Sequence, residues 1–262
     1  MPDRTLPPWL DLTGRRALVI GIANDNSIAH GCAQMLAALG ADLGVTYLNA
    51  KAEPHVRPLA EALGASLIAP LDVEVPGQLE AVFEQVRTRW GRLDFLLHAI
   101  AFAPRDCLHE RVLDCQWTNF QRAMDVSCHS FVRAARLAEP LMDRGGAIVT
   151  LSYYGAEKAV PEYKVMGPVK AALESFVRYM APELARRNVR VYAVSPGPIH
   201  TRAAAGIPGF ETLVEHALER APLRRLALSE EVGRVVAVLA ADAASGMTGN
   251  TIHVDAGYHT VG

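Results

Sequence analysis

The chain has 262 residues, of which 50% are hydrophobic and 21% are charged, and its formal net charge at pH 7 is −2. This length and composition are typical of a globular protein with a sizeable core. The small net charge excludes a strongly basic nucleic-acid-binding protein and an acidic disordered chain. Composition therefore predicts a globular protein and leaves its chemistry open.

The cysteine and histidine spacings predict no disulfide scaffold and no metal site. The four cysteines form no C-x-x-C pair, and the histidines form no cluster at zinc spacing; the cysteines are Cys32, Cys107, Cys115 and Cys128. No apolar run is long enough to span a bilayer, and the first nine residues lack the apolar region of a signal peptide. We therefore expect a cytoplasmic protein with no membrane, metal or nucleic-acid partner.

Apolar runs alternate with segments of helical periodicity along the whole chain. The runs predict seven strands, at about 16–22, 42–48, 66–73, 93–100, 146–151, 189–195 and 251–255. The periodic segments predict helices at about 28–39, 53–63, 79–90, 120–142, 163–186, 209–220 and 229–241. Alternation of this kind predicts βαβ units and a parallel sheet, and continuous apolar strands predict a sheet covered on both faces.

The predicted fold is one doubly wound α/β domain over 1–262, with about seven parallel strands and helices on both faces of the sheet. A (β/α)8 barrel also fits the alternation. The glycine pattern after the first strand favours the open sheet.

The turn after the first predicted strand has features of a dinucleotide site. Gly21 stands where the strand ends, and Ser27 and Ile28 begin the first helix, whose amides and positive end can hold a diphosphate. The G-x-G-x-x-G pattern is absent. Gly21 provides the tight turn, Ser27 a hydroxyl and an N-cap, and Gly31 close packing between helix and strand. An ordinary βα turn is the alternative interpretation.

Three other strand ends carry residues suited to the rest of a nicotinamide cofactor. They offer a carboxylate for an adenine amino group, small side chains beside the nicotinamide, and a hydroxyl for a carboxamide or phosphate. These residues are Asp72 and Val73, then Ala99, Ile100 and Ala101, then Pro198, Ile199 and Thr201. Each alone fits an ordinary loop. Together at the carboxyl ends of parallel strands they predict a cofactor site.

The end of the second strand bears on the choice of cofactor. An acidic residue there binds the 2′-hydroxyl of NADH, and an arginine accommodates the 2′-phosphate of NADPH. Leu48 holds this position, with neither an acid nor an arginine beside it and only Lys51 further on. The pattern favours NADH and leaves NADPH possible.

Tyr163 and Lys170 are the candidate catalytic pair. They are seven residues apart in a predicted helix, so both project from one face. The charge of a nearby lysine lowers the pKa of a tyrosine, which suits a proton donor or oxyanion binder beside a hydride acceptor. Tyr153 follows the fifth strand at the same edge of the sheet. A solvated helix face is the alternative interpretation.

Several motifs carry a resemblance to a known family. The motifs are at 27–29 (SIA), 98–104 (HAIAFAP), 150–155 (TLSYYG), 163–170 (YKVMGPVK), 195–201 (SPGPIHT) and 253–257 (HVDAG). They resemble the short-chain dehydrogenase/reductase superfamily and, within it, the bacterial NAD(P)H-dependent enoyl-[acyl-carrier-protein] reductases. The superfamily's usual Ser and Tyr positions hold Tyr153 and Met166 here, and the Tyr-x6-Lys spacing replaces Tyr-x3-Lys.

The resemblance implies a Rossmann-type fold and reduction of the 2,3 double bond of trans-2-enoyl thioesters on acyl carrier protein. This is the last step of the fatty-acid elongation cycle, with NADH or NADPH as hydride donor. It assigns Tyr163 to the enolate oxygen and Lys170 to the nicotinamide ribose. It also implies a homotetramer that binds acyl carrier protein.

The resemblance further implies a substrate pocket and a mobile substrate-binding loop at about 200–215. The implied pocket residues are Ala101, Phe102, Tyr153, Tyr163, Met166, Ala203, Ala204, Ile207 and Phe210. A basic patch for the acidic carrier protein is suggested near the pocket entrance by Arg186, Arg187, Arg202, Arg224 and Arg225, with an ordinary solvated surface as the alternative.

The sequence departs from the family at a few positions. Leu48 stands where many NADH-using members have glutamine, and Arg202 stands at a usually apolar position. These departures leave open a related reductase that acts on another unsaturated acyl or ketone substrate. A catalytically silent cofactor-binding regulator is a third possibility, against which the intact Tyr153, Tyr163 and Lys170 argue.

Overall fold

One parallel sheet organises the chain. The computed structural model describes residues 6–202 and 204–261, and within them seven strands follow the order β3-β2-β1-β4-β5-β6-β7. The strands are β1 (Arg16–Ile20), β2 (Asp42–Tyr47), β3 (Leu67–Pro70), β4 (Phe95–His98), β5 (Gly146–Leu151), β6 (Val189–Pro196) and β7 (Asn250–Val254). This order confirms the predicted doubly wound sheet, and the barrel alternative is wrong.

Helices cover both faces of the sheet, as predicted. They are α1 (Ile28–Ala38), α2 (Glu53–Ala62), α3 (Gln78–Trp90), α4 (Arg105–His109), α5 (Trp117–Met124), α6 (Ser130–Ala138), α7 (Met166–Leu184), α8 (Phe210–Arg220) and α9 (Ser229–Ala240). Helices α1, α2 and α9 bury apolar residues in a core on one face, and α3, α6 and α7 do so on the other. None of the helices in the described part of the chain is long and apolar enough to cross a membrane.

Strand β1 shows why the strands are continuous apolar runs. Ala17 and Val19 pack into the core of α1, α2 and α9, whereas Leu18 and Ile20 pack into the opposite core. Successive side chains of a strand point to opposite faces. A strand between two helical layers therefore needs an apolar residue at every position.

The long helix predicted at 120–142 is interrupted. A π-helical turn, Asp125–His129, separates α5 from α6. The hydroxyl of Ser130, the first residue of α6, donates to the carbonyl of Val126 in this turn at 2.6 Å. Such bulges insert extra backbone into a helix and occur frequently at functional sites. Residues 117–138 contain no glycine or proline, so the sequence carries no signal of the interruption.

Helices α1 and α9 approach so closely that only glycines fit between them. A Cβ atom on Gly31 would lie 2.7 Å from the Ser229 carbonyl oxygen, and one on Gly233 would lie 2.4 Å from the Gly31 carbonyl oxygen. Gly31 thus permits close packing between two helices, and the predicted packing of helix against strand is wrong.

We expect Gly233→Ala to destabilise the fold by about 1–3 kcal/mol, because its methyl group would meet rigid α1 backbone. Chemical denaturation measures this loss. Gly246→Ala is the control, because a Cβ at exposed Gly246 meets nothing within 4 Å. Equal stabilities of the two variants would show that α1 and α9 can move apart freely.

Candidate active site

The crevice of the sheet lies at the carboxyl ends of β1 and β4, where the strand order reverses. The Ala99 amide donates to the Ile20 carbonyl at 2.9 Å. Gly21 has φ +104°, and a Cβ there would lie 2.4 Å from the Ala99 carbonyl oxygen. Only glycine fits, so the strand ends present bare backbone to the crevice.

The turn between β1 and α1 is shaped by Ser27. Its hydroxyl donates to the Asn24 carbonyl and accepts from the amides of Ala23 and Asn24, each at 3.4 Å. Ser27 occupies the N-cap position as predicted, but its hydroxyl stabilises the turn and not the helix end. The buried Asn24 Oδ1 has no hydrogen-bond partner among the described residues.

These features fit a dinucleotide. The first amides of an α-helix have no acceptor within the helix, and the helix dipole adds positive potential there. A groove of about 290 Å³ opens beside the turn, lined in part by Asn24, Asn26, Thr201 and Arg202. The turn thus combines helix amides with an open groove, which is what a diphosphate requires.

The predicted adenosine residues lie at the ends of β2 and β3. Leu48 is 53% exposed directly after β2. One carboxylate oxygen of Asp72 accepts from the Glu74 amide at 2.9 Å, so the other oxygen is available for a ligand. Val73 is buried in the core and offers backbone only; its carbonyl accepts from Arg133 at 3.1 Å.

The predicted nicotinamide residues lie on the loops after β4 and β6. Ala99 and Ile100 are half-buried and Ala101 is exposed. Pro198 is buried, Ile199 is half-buried and packs on the core, and Thr201 is half-buried. The Thr201 hydroxyl accepts from the Ala204 amide at 3.1 Å, which leaves its own proton for another acceptor.

Tyr153 and Tyr163 form a pair of rings at the end of β5. Their centroids are 4.7 Å apart and their planes are inclined by 60°. A Cβ on Gly155 would lie 2.5 Å from Cδ1 of Tyr163, so glycine is required for the rings to meet. The sequence prediction that these two phenols share one site agrees with this geometry.

Tyr163 lies in a short turn before α7 and not in the helix itself. It ends a short 3-10 turn, Pro161–Tyr163, and α7 begins only at Met166. Between them Lys164 has φ +47°, a strained conformation for a residue with a side chain. The expectation that Tyr163 and Lys170 share a helical face is therefore wrong, although both lie at the same edge of the sheet.

Lys170 projects from α7 towards β5. It is 4% exposed, and its Nζ donates to the Leu151 carbonyl at 2.7 Å. Burial lowers its pKa to about 8, an effect that nearby Cys128 and Glu174 partly oppose. Because a buried ammonium has lost its hydration, its hydrogen bond to the Leu151 carbonyl is needed to offset part of that loss.

The pKa of Tyr163 is raised, mainly by burial and then by Tyr153, and burial likewise raises the pKa of Tyr153. The expectation that Lys170 lowers the pKa of a tyrosine is wrong for this structure, because desolvation outweighs any such effect. Both phenols stay protonated at neutral pH and can donate hydrogen bonds.

Of the residues predicted to hold substrate, Met166 and Ile207 belong to the same apolar cluster as the tyrosine pair, and the others lie on the loop after β4 and in the segment that leads into α8. Met166 is buried, and Phe102 is 41% exposed on the loop after β4. Ala204 is buried in a 3-10 turn, Ile207 packs against the core, and Phe210 begins α8. Ala203 lies outside the described residues. The predicted loop at 200–215 thus comprises a loop and the first turns of α8.

Two side chains that sequence reasoning missed hold the Phe102 loop. The Ser127 hydroxyl, from the π-helical turn, donates to the Phe102 carbonyl at 2.7 Å and accepts from its amide at 2.8 Å. The Arg122 guanidinium lies 4.6 Å from the Phe102 ring centroid and is held by two hydrogen bonds to Glu74, at 2.6 and 2.8 Å. No sequence signal connects these positions, because they come from separate elements.

A second polar layer lies behind Lys170. The Ser152 hydroxyl donates to the buried Glu174 carboxylate, whose pKa is raised chiefly by burial. His98 bonds to Ser130 at 2.8 Å and to Thr150 at 3.2 Å, and burial, reinforced by the charge of Lys170, lowers its pKa to about 3. A neutral histidine beside the lysine adds no second positive charge to the site.

The five arginines suggested as a basic patch do not all lie at the pocket entrance. Arg186 and Arg187 lie between α7 and β6, at the amino edge of the sheet and away from the crevice. Arg187 pairs with Glu139 at 3.4 Å, and Arg225 pairs with Glu231 at 2.7 Å. Of the five arginines, Arg202 lines the groove beside the β1–α1 turn.

Known proteins resemble this chain over almost its whole length. The family model described as enoyl-(acyl carrier protein) reductase matches residues 21–259. The NADH-dependent enoyl-[acyl-carrier-protein] reductase FabI of Nostoc sp. is 48% identical over 97% of this chain and 99% of its own length. Enoyl-[acyl-carrier-protein] reductase [NADH] 1 of Rhizobium meliloti is 46% identical over 96% of this chain and 92% of its own length.

Solved structures agree with these relatives. The enoyl-(acyl-carrier-protein) reductase of Anaplasma phagocytophilum in complex with NAD superposes with a TM-score of 0.93 at 44% identity, covering 98% of this chain and 97% of that one. The Bacillus cereus enoyl-acyl carrier protein reductase with NADP+ and an indole naphthyridinone superposes with a TM-score of 0.93 at 42% identity. The match covers 96% of this chain and 99% of the Bacillus cereus chain. On this sequence and structural agreement, the chain belongs to the enoyl-(acyl carrier protein) reductase family.

Proposed function

We propose that this protein reduces the 2,3 double bond of trans-2-enoyl thioesters carried on acyl carrier protein, with NADH as reductant, in the last step of fatty-acid elongation. The observation that carries the proposal is the pair of protonated phenols, Tyr153 and Tyr163, placed with buried Lys170 at the carboxyl edge of a dinucleotide-binding sheet. The NADH-dependent relatives support the same cofactor.

Tyr163 acts on the thioester carbonyl. Bound NADH supplies a hydride to C3 of the enoyl chain, and negative charge then develops on the carbonyl oxygen. The Tyr163 hydroxyl donates a hydrogen bond to that oxygen, where a preorganised donor in a dry site stabilises charge most. A proton from solvent adds at C2 and completes the saturated thioester. The raised pKa of Tyr163 keeps its proton in place until that charge appears.

Lys170 positions the cofactor. Its ammonium is anchored on the Leu151 carbonyl, and its remaining N–H groups are available for the nicotinamide ribose hydroxyls. Gly21, Ser27 and Ile28 would hold the diphosphate, and Leu48, Asp72 and Val73 the adenosine. The nicotinamide end would lie along Ala99, Ile100, Ala101, Pro198, Ile199 and Thr201.

The acyl chain would lie beside the tyrosine pair. Phe102, Met166 and Ile207 would offer apolar surface there, and Ala101, Ala203, Ala204 and Phe210 would flank it. The segment 200–215 would act as the substrate-binding loop. Gly209 places this segment against the Tyr163 turn, since a Cβ on it would lie 3.3 Å from Cγ of Glu162.

The partner and assembly follow from the same proposal. The acyl substrate arrives on acyl carrier protein, and the reaction takes place in the cytoplasm. Exposed apolar residues on the long helices support a homotetramer: Phe176 on α7 and Val238 on α9. Exposed apolar side chains are typical of surfaces that become buried on association.

We expect the purified protein to oxidise NADH in the presence of crotonyl or longer trans-2-enoyl thioesters, with a slower rate for NADPH. The loss of NADH absorbance measures the reaction. Oxidation with a ketone but not with an enoyl thioester would show a related reductase instead. No oxidation by a protein that binds NADH would show a silent cofactor-binding protein.

Tyr163→Phe and Lys170→Met are expected to separate the two roles. Tyr163→Phe removes the donor to the carbonyl oxygen, so kcat falls about 100-fold or more while the Kd for NADH is unchanged. Lys170→Met removes charged hydrogen bonds to the ribose, so the Kd for NADH rises about 10-fold or more. Tyr179→Phe, at a 74% exposed site on α7, is the control. An unchanged kcat in Tyr163→Phe would contradict its role.

The stability of Lys170→Met relative to the wild type is expected to depend on pH. Below pH 8 the lysine is charged in both the folded and unfolded chain, so the wild type bears the full cost of burying it. Above a folded pKa of about 8, and up to an ordinary value of 10.5, only the unfolded chain holds the proton. Rising pH therefore stabilises the wild type relative to the variant, by about 3 kcal/mol in all.

Urea denaturation of both proteins between pH 7 and pH 10 measures this difference. All other titrating groups are shared, so their contributions cancel. A difference that stays constant over the range would mean that the Lys170 pKa is not lowered by folding.

A further inference from the structure

Three metal-binding side chains meet at a place that the proposed reaction does not use. Asp106 and Cys107 belong to α4, and Cys115 lies in the segment before α5. No two of their ligand atoms, a carboxylate oxygen and two sulfurs, are more than 4.8 Å apart. The sequence conceals this cluster because its spacing of one and eight residues matches no metal-binding pattern.

The distances are close to those of a tetrahedral site. Zinc bonds of about 2.3 Å to sulfur and 2.0 Å to oxygen place two thiolates about 3.8 Å apart and a thiolate about 3.5 Å from a carboxylate oxygen. From at most 4.8 Å, the two sulfurs therefore need to approach by no more than about 1 Å, and a sulfur and the carboxylate oxygen by no more than about 1.3 Å. Two sulfurs and one carboxylate favour a zinc-class ion and exclude calcium and magnesium, which take oxygen ligands.

The surroundings are those of a built site. Asn119 Nδ2 donates to Asp106 Oδ2 at 2.7 Å, which orients the carboxylate and leaves its other oxygen for an ion. Cys107 is completely buried. Half-buried Cys115 lines an open groove of about 300 Å³, together with Trp117 and Phe120, and this groove gives an ion a path from solvent.

The thiols need a cation to become ligands. Cysteine binds metal ions as the thiolate, so each sulfur ligand must give up its proton when an ion binds. A divalent ion displaces those protons and supplies the positive charge that the buried thiolate lacks.

We propose that Asp106, Cys107 and Cys115 bind one zinc-class divalent cation, with water as the fourth ligand. This departs from the expectation of no metal site drawn from sequence spacing. It rests on the geometry of the cluster and not on the proposed reaction. A disulfide between the two cysteines is the competing use of the pair, but it gives the oriented Asp106 carboxylate no role.

Cobalt(II) titration of the full-length, fully reduced protein tests the site. We expect one ion per chain, a sulfur-to-cobalt charge-transfer band in the near ultraviolet, displacement of cobalt by an equimolar amount of zinc, and release of about two protons per ion. Cys115→Ser is expected to halve or abolish the band and weaken zinc affinity at least 10-fold. Asp106→Asn, which keeps the shape of the side chain, weakens zinc affinity without loss of either sulfur.

Cys32→Ala is the matched control, because it removes a buried cysteine of α1 and leaves the cluster intact. Wild type that binds cobalt no more tightly than Cys115→Ser would overturn the proposal. Wild type that loses two free thiols to oxidised glutathione and binds no ion when reduced would establish the disulfide instead.

A thermal measurement gives a readout independent of the absorption band. An ion that binds only the folded chain raises Tm with its concentration. We expect zinc to raise the Tm of the wild type and of Cys32→Ala, and to leave that of Cys115→Ser unchanged. Equal shifts in all three proteins would place the zinc elsewhere.

Discussion

The burial of one ammonium group determines how the active edge of this protein is built. Lys170 has almost no contact with solvent, and a lone charge in such a place is unfavourable by several kcal/mol. The Leu151 carbonyl, at the very end of β5, offsets part of this cost by accepting from Nζ. That hydrogen bond ties α7 to the sheet at the point where the strand stops and Tyr153 begins.

The same dry environment determines the state of the neighbouring groups. Burial keeps the phenols of Tyr153 and Tyr163 protonated and keeps His98 neutral. Lys170 is then a positive charge among neutral donors and acceptors, with Glu174 as the acid behind it. Such an arrangement can hold negative charge on a substrate oxygen without first losing a proton of its own.

Sequence reasoning predicted the sheet well because the physics of its strands is local. A strand between two helical layers is apolar at every position, so each run marked a strand. Motif and spacing predicted a catalytic role for Tyr153, Tyr163 and Lys170, which stays a prediction, and the expected shared helical face of Tyr163 and Lys170 was wrong. The helix that should carry Tyr163 begins three residues later, because Lys164 takes a positive φ. The positive φ of one residue, Lys164, does not change the apolar periodicity from which the helix was predicted.

Contacts between distant elements could not be predicted from the sequence, because no local pattern connects residues that are far apart in the chain. Ser127 reaches Phe102 across 25 positions, and Arg122 reaches Glu74 across 48. The π-helical turn that aims Ser127 contains no glycine or proline that would mark it in the sequence. The five arginines were likewise not predicted to lie apart, since sequence does not show which edge of the sheet a charge occupies. Arg186 and Arg187 belong to the edge opposite the crevice.

The two edges of the sheet differ in how buried charges and positive φ angles are accommodated. At the amino edge, Asp94 accepts from the Arg16 amide at 2.8 Å and from the Arg92 guanidinium at 3.2 Å. Asn188, at the same edge, has a φ of +56°, and asparagine tolerates this left-handed conformation better than most residues with a side chain.

At the carboxyl edge, Lys164 and Ala256 have positive φ although both carry a side chain, which is unfavourable, and Lys170 is buried there as well. Strain and buried charge persist where surrounding structure over-determines them, and they concentrate at functional sites. Lys170 lies on α7 between Val169 and Leu173, both fully buried, so the residues that stabilise the fold also hold it in place. The core packed against α7 thus stabilises the fold enough to offset the unfavourable burial of Lys170 on the same helix.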